Sequence, residues 1–302
     1  MTVKKRSITC SKTCNNERLD MFLARKIEFL SRSKIRKLIV DGGVYVNDRR
    51  VRINSRTLRP GDRILVYIPD EIRENRQLSL PIDVLFEDEY LMVVNKPGGI
   101  STSPSRYNVT DCIIGRLHEQ LGEKKYLEPV HRLDKLTSGV LILSKKLSMT
   151  KSMFDLFKRR RVGKKYIAVV EGKMNPESGE ISSYLNRSKR NPAKMIQDNQ
   201  SGKLATTRYR TCHYDSEQNL SYLIIHIPTG RTHQIRVHLA GSGHPVAGDS
   251  LYGSHISKKT LLLHALSVTF THPLTKKRIR IDANSPFWFP KLSGEKKIND
   301  FS

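Results

Sequence analysis

Three things are scarce in this chain of 302 residues: acidic side chains, long apolar runs and cysteine. Only 29 Asp and Glu face 54 Lys and Arg, leaving a formal charge of +25. A field of that size favours a polyanion, either nucleic acid or an anionic membrane. The membrane is the weaker option, because no apolar run approaches the ~18–20 residues that a spanning helix needs. The basic start Met1-Thr2-Val3-Lys4-Lys5-Arg6 leads into no apolar segment, so no secretory signal is expected. The four cysteines, Cys10, Cys14, Cys112 and Cys212, form no C-x-x-C pair. That scatter suits a reducing cytoplasm and not a disulfide framework, and Cys10 with Cys14 lacks the second pair a zinc site needs. The ten histidines show no H-E-x-x-H spacing, and no G-x-x-x-x-G-K is present. Neither a metal nor a cofactor is expected, and nucleic acid is the leading partner.

The residues that are present organise the chain into parts. Residues 1–15 are basic with few apolar anchors and read as a mobile arm. Leu19, Phe22, Leu23, Ile27 and Leu30 follow helical spacing and predict an amphipathic helix over 18–30. Ser31-Arg32-Ser33 offers an N-cap to a second helix through Ile35, Leu38 and Ile39, which Asp41-Gly42-Gly43 stops. Short strands follow at 44–46 and 64–68. Arg32, Lys34, Arg36 and Lys37 on the second helix and Arg49 on the hairpin share one sign with few interleaved acids. Such a cluster can track RNA phosphates, against the plainer alternative of a solvated basic face. Residues 71–81 are polar and read as a linker. From residue 82 strands outnumber helices, with strands expected at 84–86, 90–94, 140–143, 164–170, 208–214, 220–227, 261–265 and 268–270. Helices are expected at 109–121, 146–160 and 232–240, although the last also alternates as a strand does. The class is α+β: a small helix-and-hairpin domain, then a larger mixed, mainly antiparallel sheet flanked by helices.

The chemistry centres on His131-Arg132-Leu133-Asp134-Lys135-Leu136-Thr137-Ser138-Gly139, which runs straight into Val140-Leu141-Ile142-Leu143. A polar loop before an apolar segment reads as a turn into a buried strand, so Asp134 stands at the lip of a sheet. Arg132 and Lys135 beside it favour the charged carboxylate. Without more, a surface ion pair is the ordinary reading. Two further stretches follow in order: Lys165-Tyr166 and Gly230-Arg231-Thr232-His233-Gln234-Ile235-Arg236. Together the three resemble the motifs of the RluA family of RNA pseudouridine synthases. Lys135-Leu136 departs from the charged residue and Asp that the family usually shows there. Asn95-Lys96-Pro97-Gly98-Gly99 is similar to a turn of the family, and is either a wall of the cleft or a plain hairpin turn. Residues 16–70 resemble an S4 RNA-binding domain through Arg18-Leu19-Asp20, Ser31-Arg32-Ser33, Gly43-Val44-Tyr45-Val46-Asn47 and Pro60-Gly61-Asp62.

The resemblance implies a pseudouridine synthase fold over residues 82–295 and isomerisation of uridine in structured RNA without a cofactor. It implies Asp134 as the catalytic carboxylate, Arg231 as its ion-pair partner, and Tyr166 packed on the uracil as a general base or relay. Ile235 would supply an apolar wall. Arg132 would enter the base stack vacated by the flipped uridine, or simply hold a phosphate. It further implies large-subunit ribosomal RNA as target, in a cytoplasmic monomer. Three competing readings are a non-catalytic RNA-binding or ribosome-assembly protein, the same enzyme acting on transfer RNA, and a DNA-binding factor.

Overall fold

The computed structural model describes residues 3–11, 14, 16–40, 42–69, 81–103, 112–122, 126–198, 200–256 and 260–290. The expected linker falls almost wholly outside them. The chain divides into two compact units, residues 1–81 with 103–123 and residues 82–102 with 124–302. The first unit thus includes 103–123, which the domain expected over 82–295 contains.

The first unit holds helices α1 (Leu19–Lys26) and α2 (Arg32–Val40) and strands β1 (Val3–Thr9), β2 (Val44–Val46), β3 (Arg49–Val51) and β4 (Arg63–Pro69). The strands form one antiparallel sheet in the order β1-β4-β2-β3. The helical spacing seen in the sequence buries Leu19, Phe22, Leu23, Ile35, Leu38 and Ile39 against Val44, Val46, Ile64 and Val66. Ser31 caps α2 by accepting from the Lys34 N–H at 3.3 Å. The mobile arm expected over 1–15 is corrected here: residues 3–9 pair along the whole of β4. A strand that opens on the three consecutive cations Lys4-Lys5-Arg6 shows no period-two apolar pattern, and its partner lies some sixty residues away in sequence, which is why it resembles a tail. Helix α3 (Ile113–Leu121) belongs to this unit; residues 109–111 of the helix expected over 109–121 lie outside the described residues. The Cys112 thiol caps it by accepting from Gly115 N–H at 3.4 Å, and Gly122 ends it in the left-handed region.

The second unit is built on an eleven-stranded sheet. Its strands are β5 (Asp83–Glu87), β6 (Leu91–Lys96), β7 (Glu128–Pro129), β8 (Ser138–Ser144), β9 (Gly163–Glu171), β10 (Ser178–Arg187), β11 (Met195–Asp198), β12 (Lys203–Asp215), β13 (Leu220–His226), β14 (Leu263–Thr271) and β15 (Arg278–Asp282). The order is β11-β10-β12-β13-β9-β14-β8-β6-β5, with β15 on β14 and β7 on β8. All pairings are antiparallel except β8 with β14, which touch only at Ser138–His264 and Gly139–Ala265. That short parallel contact joins the two halves of the sheet, and it requires Gly139. The residue has φ 108°, and a Cβ there would stand 2.2 Å from the Ala265 carbonyl oxygen. Strand β15 was not read from the sequence, although Ile279 and Ile281 alternate with charged residues as a half-buried strand does. The segments expected at 261–265 and 268–270 form the single strand β14.

Helix α4 (Leu147–Lys158) lies on the β6/β8 half, with Met149 and Met153 in a core that includes Leu91, Val93, Val140, Ile142 and Phe270. Helix α5 (Gln234–Gly241) follows β13. The mixed, mainly antiparallel sheet with few helices agrees with the sequence reading.

Candidate active site

The loop between β7 and β8 carries Asp134 and is fixed on three sides. His131 Nε2 accepts from the Ile142 N–H at 3.0 Å, and its ring stacks on Phe157 with centroids 5.0 Å apart. Burial, and then the charge of Lys164, depress its pKa to about 3, so His131 is a neutral anchor. The Thr102 hydroxyl donates to the Leu133 carbonyl at 2.8 Å and accepts from its N–H at 3.2 Å. Lys96 is fully buried, and its ammonium donates to the carbonyls of Pro97, Ile100 and Lys135 at 2.9, 2.9 and 3.2 Å. Gly99 N–H shares the Lys135 carbonyl at 2.8 Å. The Asn95–Gly99 turn is therefore the floor under the Asp134 loop. Burial lowers the Lys96 pKa to about 7, against the opposing charge of Asp134.

Asp134 opens into a cleft of about 550 Å3 that Arg132, Tyr166, Arg231 and Ile235 also line. Its Oδ2 accepts from Arg236 Nη1 at 3.3 Å and lies 3.8 Å from His233 Nε2. Arg236 is held from behind by Asp249, which accepts from Nε at 2.6 Å and from Nη2 at 2.8 Å. Both members of that fork are buried, and the guanidinium lies 5.1 Å above the Tyr252 ring. Burial alone would weaken the Arg236 charge, but the bonds and charge of Asp249, then of Asp134, outweigh it and raise its pKa.

This geometry corrects the pairing expected for Asp134. Arg231 lines the cleft, but its Nε donates to the Leu204 carbonyl at 3.3 Å, and Arg236 takes the carboxylate. The reason is the start of α5. Thr232 is not its N-cap; His233 is, in the left-handed region at φ 55°. Arg236 therefore sits in the first turn with Ile235 and Val237 buried on either side, while Arg231 precedes the helix. Gln234 ties that preceding turn down: its Oε1 accepts from Thr229 Oγ1 at 2.8 Å and Arg231 N–H at 3.0 Å, and its Nε2 donates to the Thr206 carbonyl at 2.8 Å. One signal could have found Arg236, since a lone guanidinium inside an apolar helical stretch must be buried and paired. Asp249, thirteen residues on, carried no local signal.

Tyr166 projects from β9 and is buried. Burial, then the charge of Asp134, push its phenol pKa up, so it stays protonated at neutral pH. That removes the phenolate from the reading of Tyr166 as a base and leaves its ring face and hydroxyl. His233 and Tyr252 were also missed: the Tyr252 oxygen accepts from the Met195 N–H at 2.8 Å and stands 2.9 Å from His233 Nδ1. In the tautomer in which the Tyr252 hydroxyl donates to His233 Nδ1, the Nε2 nitrogen carries the hydrogen that faces Asp134.

In the first unit, Arg32 and Arg36 are brought together with Arg18 by Asp20. The Asp20 carboxylate is fully buried and accepts from Arg18 at 3.1 Å, from Arg32 at 2.8 Å and from Arg36 at 2.8 Å. Burial opposes its charge, but the three arginines outweigh burial and hold its pKa near about 2. Lys37 and Arg49 are exposed and Lys34 is half-buried, outside this cluster.

A family model described as RNA pseudouridylate synthase matches residues 90–241, and an S4 domain model matches residues 17–64. An RNA pseudouridine synthase of Aquifex aeolicus is 34% identical over 295 residues, covering 91% of this chain and 92% of its own. The chain belongs to the RNA pseudouridylate synthase family. Within that family it is 33% identical to the ribosomal large subunit pseudouridine synthase C of Buchnera aphidicola, over 91% of this chain and 92% of that one. It is 35% identical to the ribosomal large subunit pseudouridine synthase D of Borreliella burgdorferi, over 83% and 81%. Human RNA pseudouridylate synthase domain containing 1 shares the fold with a TM-score of 0.59 and 24% identity, over 68% of this chain and 84% of that one. As a pseudouridine synthase with an S4 domain, the protein is an RNA-directed enzyme. No described helix is long and apolar enough to cross a membrane.

Proposed function

We propose that the protein converts uridine to pseudouridine in large-subunit ribosomal RNA, with Asp134 as the catalytic carboxylate. The observation that carries this is the Asp134 carboxylate at the cleft, bonded to an Arg236 that Asp249 holds from behind. The reaction breaks the bond from ribose C1′ to uracil N1 and forms one from C1′ to C5. The proton leaving C5 balances the one taken up at N1, so no atom is lost. A carboxylate fixed beside C1′ can attack it, or can take a ribose proton to give a glycal; both need an ionised, oriented oxygen. Arg236 supplies orientation, with the second guanidinium edge committed to Asp249 so that the first cannot swing away. The uncharged Tyr166 packs on the uracil and passes protons through its hydroxyl. Ile235 walls the base. Arg132, exposed at the rim, either fills the stack left by the flipped uridine or holds a phosphate. Arg18, Arg32 and Arg36, presented by Asp20, engage RNA phosphates with Lys34, Lys37 and Arg49.

The large-subunit target is supported by the two relatives named for it. The protein acts as a cytoplasmic monomer and uses its own side chains alone. The test is tritium release from RNA labelled at uridine C5, on unmodified large-subunit RNA beside small-subunit and transfer RNA. Release from the large-subunit RNA by the wild type, and none by Asp134→Asn that still binds it, is the expected result. Release by Asp134→Asn at the wild-type rate refutes the role. Release only from transfer RNA refutes the target, and none from any RNA favours a binding protein.

A further inference from the structure

The cleft has a second pole that the carboxylate chemistry does not use. Among its described lining residues Asp134 is the only acid, and Arg236 occupies it. The remaining lining cations include Lys158, Arg160, Lys164 and Arg231. Lys164 is unusual among them, being only 8% exposed. Its ammonium donates to the Thr229 carbonyl at 3.1 Å and stands 6.0 Å above the Phe157 ring. The absence of a Cβ on Gly230 keeps the turn close to it, for a Cβ there would lie 3.2 Å from Nζ. Arg231 follows directly, with its Nε on the Leu204 carbonyl.

Two cations packed at one wall, one of them almost out of water, cost free energy unless an anion arrives. The Lys164 pKa reflects that cost: burial, then the charge of Arg231, depress it to about 8. The wall also lies at a useful distance from the carboxylate pole. Lys164 and Tyr166 share one face of β9, two residues and roughly 6.6 Å apart. Tyr166 feels the charge of Asp134, whereas Lys164 feels that of Arg231. That backbone spacing is of the order of the distance from base to phosphate within one nucleotide.

We infer that Lys164 and Arg231 form the phosphate-binding pole of the cleft, seating a phosphate of the same nucleotide whose base packs on Tyr166. This rests on the reading of the cleft as a uridine site. It gives Arg231, displaced from Asp134, a task of its own. Lys158 and Arg160 at the rim add to the same field.

The test is the binding of uridine 5′-monophosphate, uridine 3′-monophosphate and uridine to the purified full chain at low salt, followed by ligand NMR. One nucleotide should bind with a Kd of about 1 mM or tighter and roughly tenfold or more ahead of uridine. Lys164→Met and Arg231→Gln should each shrink that preference, and the pair together should remove it. Lys164→Arg should retain it, and so should Arg280→Gln, which lies outside the cleft. Equal binding of all three ligands overturns the inference. So does an absence of nucleotide binding, or a preference that survives in a folded double variant. Tritium release bears separately on the reaction: a phosphate preference without release from any RNA would sink the reaction and leave this pole standing.

Discussion

Two clusters in this molecule use the same carboxylate–guanidinium chemistry in opposite proportions. In the first unit one buried carboxylate, Asp20, gathers the three guanidiniums of Arg18, Arg32 and Arg36. In the second, one buried guanidinium, Arg236, is shared by Asp249 and Asp134. The surplus decides what each can do. Around Asp20 positive charge is left over on side chains that are 20–47% exposed, so the carboxylate acts as a frame that presents cations. Around Arg236 negative charge is left over, and it sits on Asp134, which is 22% exposed while Asp249 is 1% exposed. An ion pair says little about function until its stoichiometry and the exposure of the surplus member are known.

The two clusters should differ most in what their carboxylates contribute to stability. Asp249→Ala should destabilise the second unit by about 3–5 kcal/mol, because it leaves a buried guanidinium with Asp134 as its one remaining carboxylate. Asp20→Ala should cost the first unit less, about 1.5–3 kcal/mol, because its arginines can turn to solvent. Urea unfolding of the full chain, followed by probes in each unit, reads both, and equal losses would erase the distinction. Removing the floor of the loop comes next. Lys96→Met deletes three hydrogen bonds under Asp134 and should lower kcat/KM by about a hundredfold through misplacement, with RNA affinity unchanged. A loss confined to affinity would move Lys96 out of this account.

Acid should sharpen the difference further. Asp20 is held at about 2, below its ordinary 3.8. Because folding depresses this pKa, its contribution is full above the ordinary carboxylate range and is lost as the pH falls through about 2. Between those values the wild type should lose more stability than Asp20→Asn does, and parallel melting curves would contradict the ion-pair arrangement. The smallest effect is expected at exposed cations: Lys37→Ala should reduce the slope of log affinity against log salt by ~0.7–0.9 if it meets one phosphate. An unchanged slope would remove Lys37 from the RNA face.

Much of this was legible in the residues because it was local. Val140-Leu141-Ile142-Leu143 after a polar loop marked β8 and put Asp134 at its mouth. The i, i+3, i+4 spacing of Leu19, Phe22 and Leu23 marked α1. What could not be read depended on distant partners. The strand from Val3 to Thr9 exists because β4 accepts it. Asp20 was visible in the Arg18-Leu19-Asp20 triplet, but its hold on Arg32 and Arg36 appears only when α1 packs on α2. Arg231 and Arg236 stand five residues apart in one motif, and only the left-handed cap at His233 decides which one faces Asp134.

The proposed mechanism depends on which arginine faces Asp134. The most direct test is single-turnover tritium release by Arg236→Lys and Arg231→Lys on the RNA that the wild type modifies. Lysine cannot hold Asp249 by a fork and reach Asp134 at once. Arg236→Lys should therefore slow the chemical step by about a hundredfold or more with RNA saturating, whereas Arg231→Lys should keep it within roughly tenfold. The reverse order, a slow Arg231→Lys and a near-normal Arg236→Lys, would contradict the pairing on which the proposed mechanism is built.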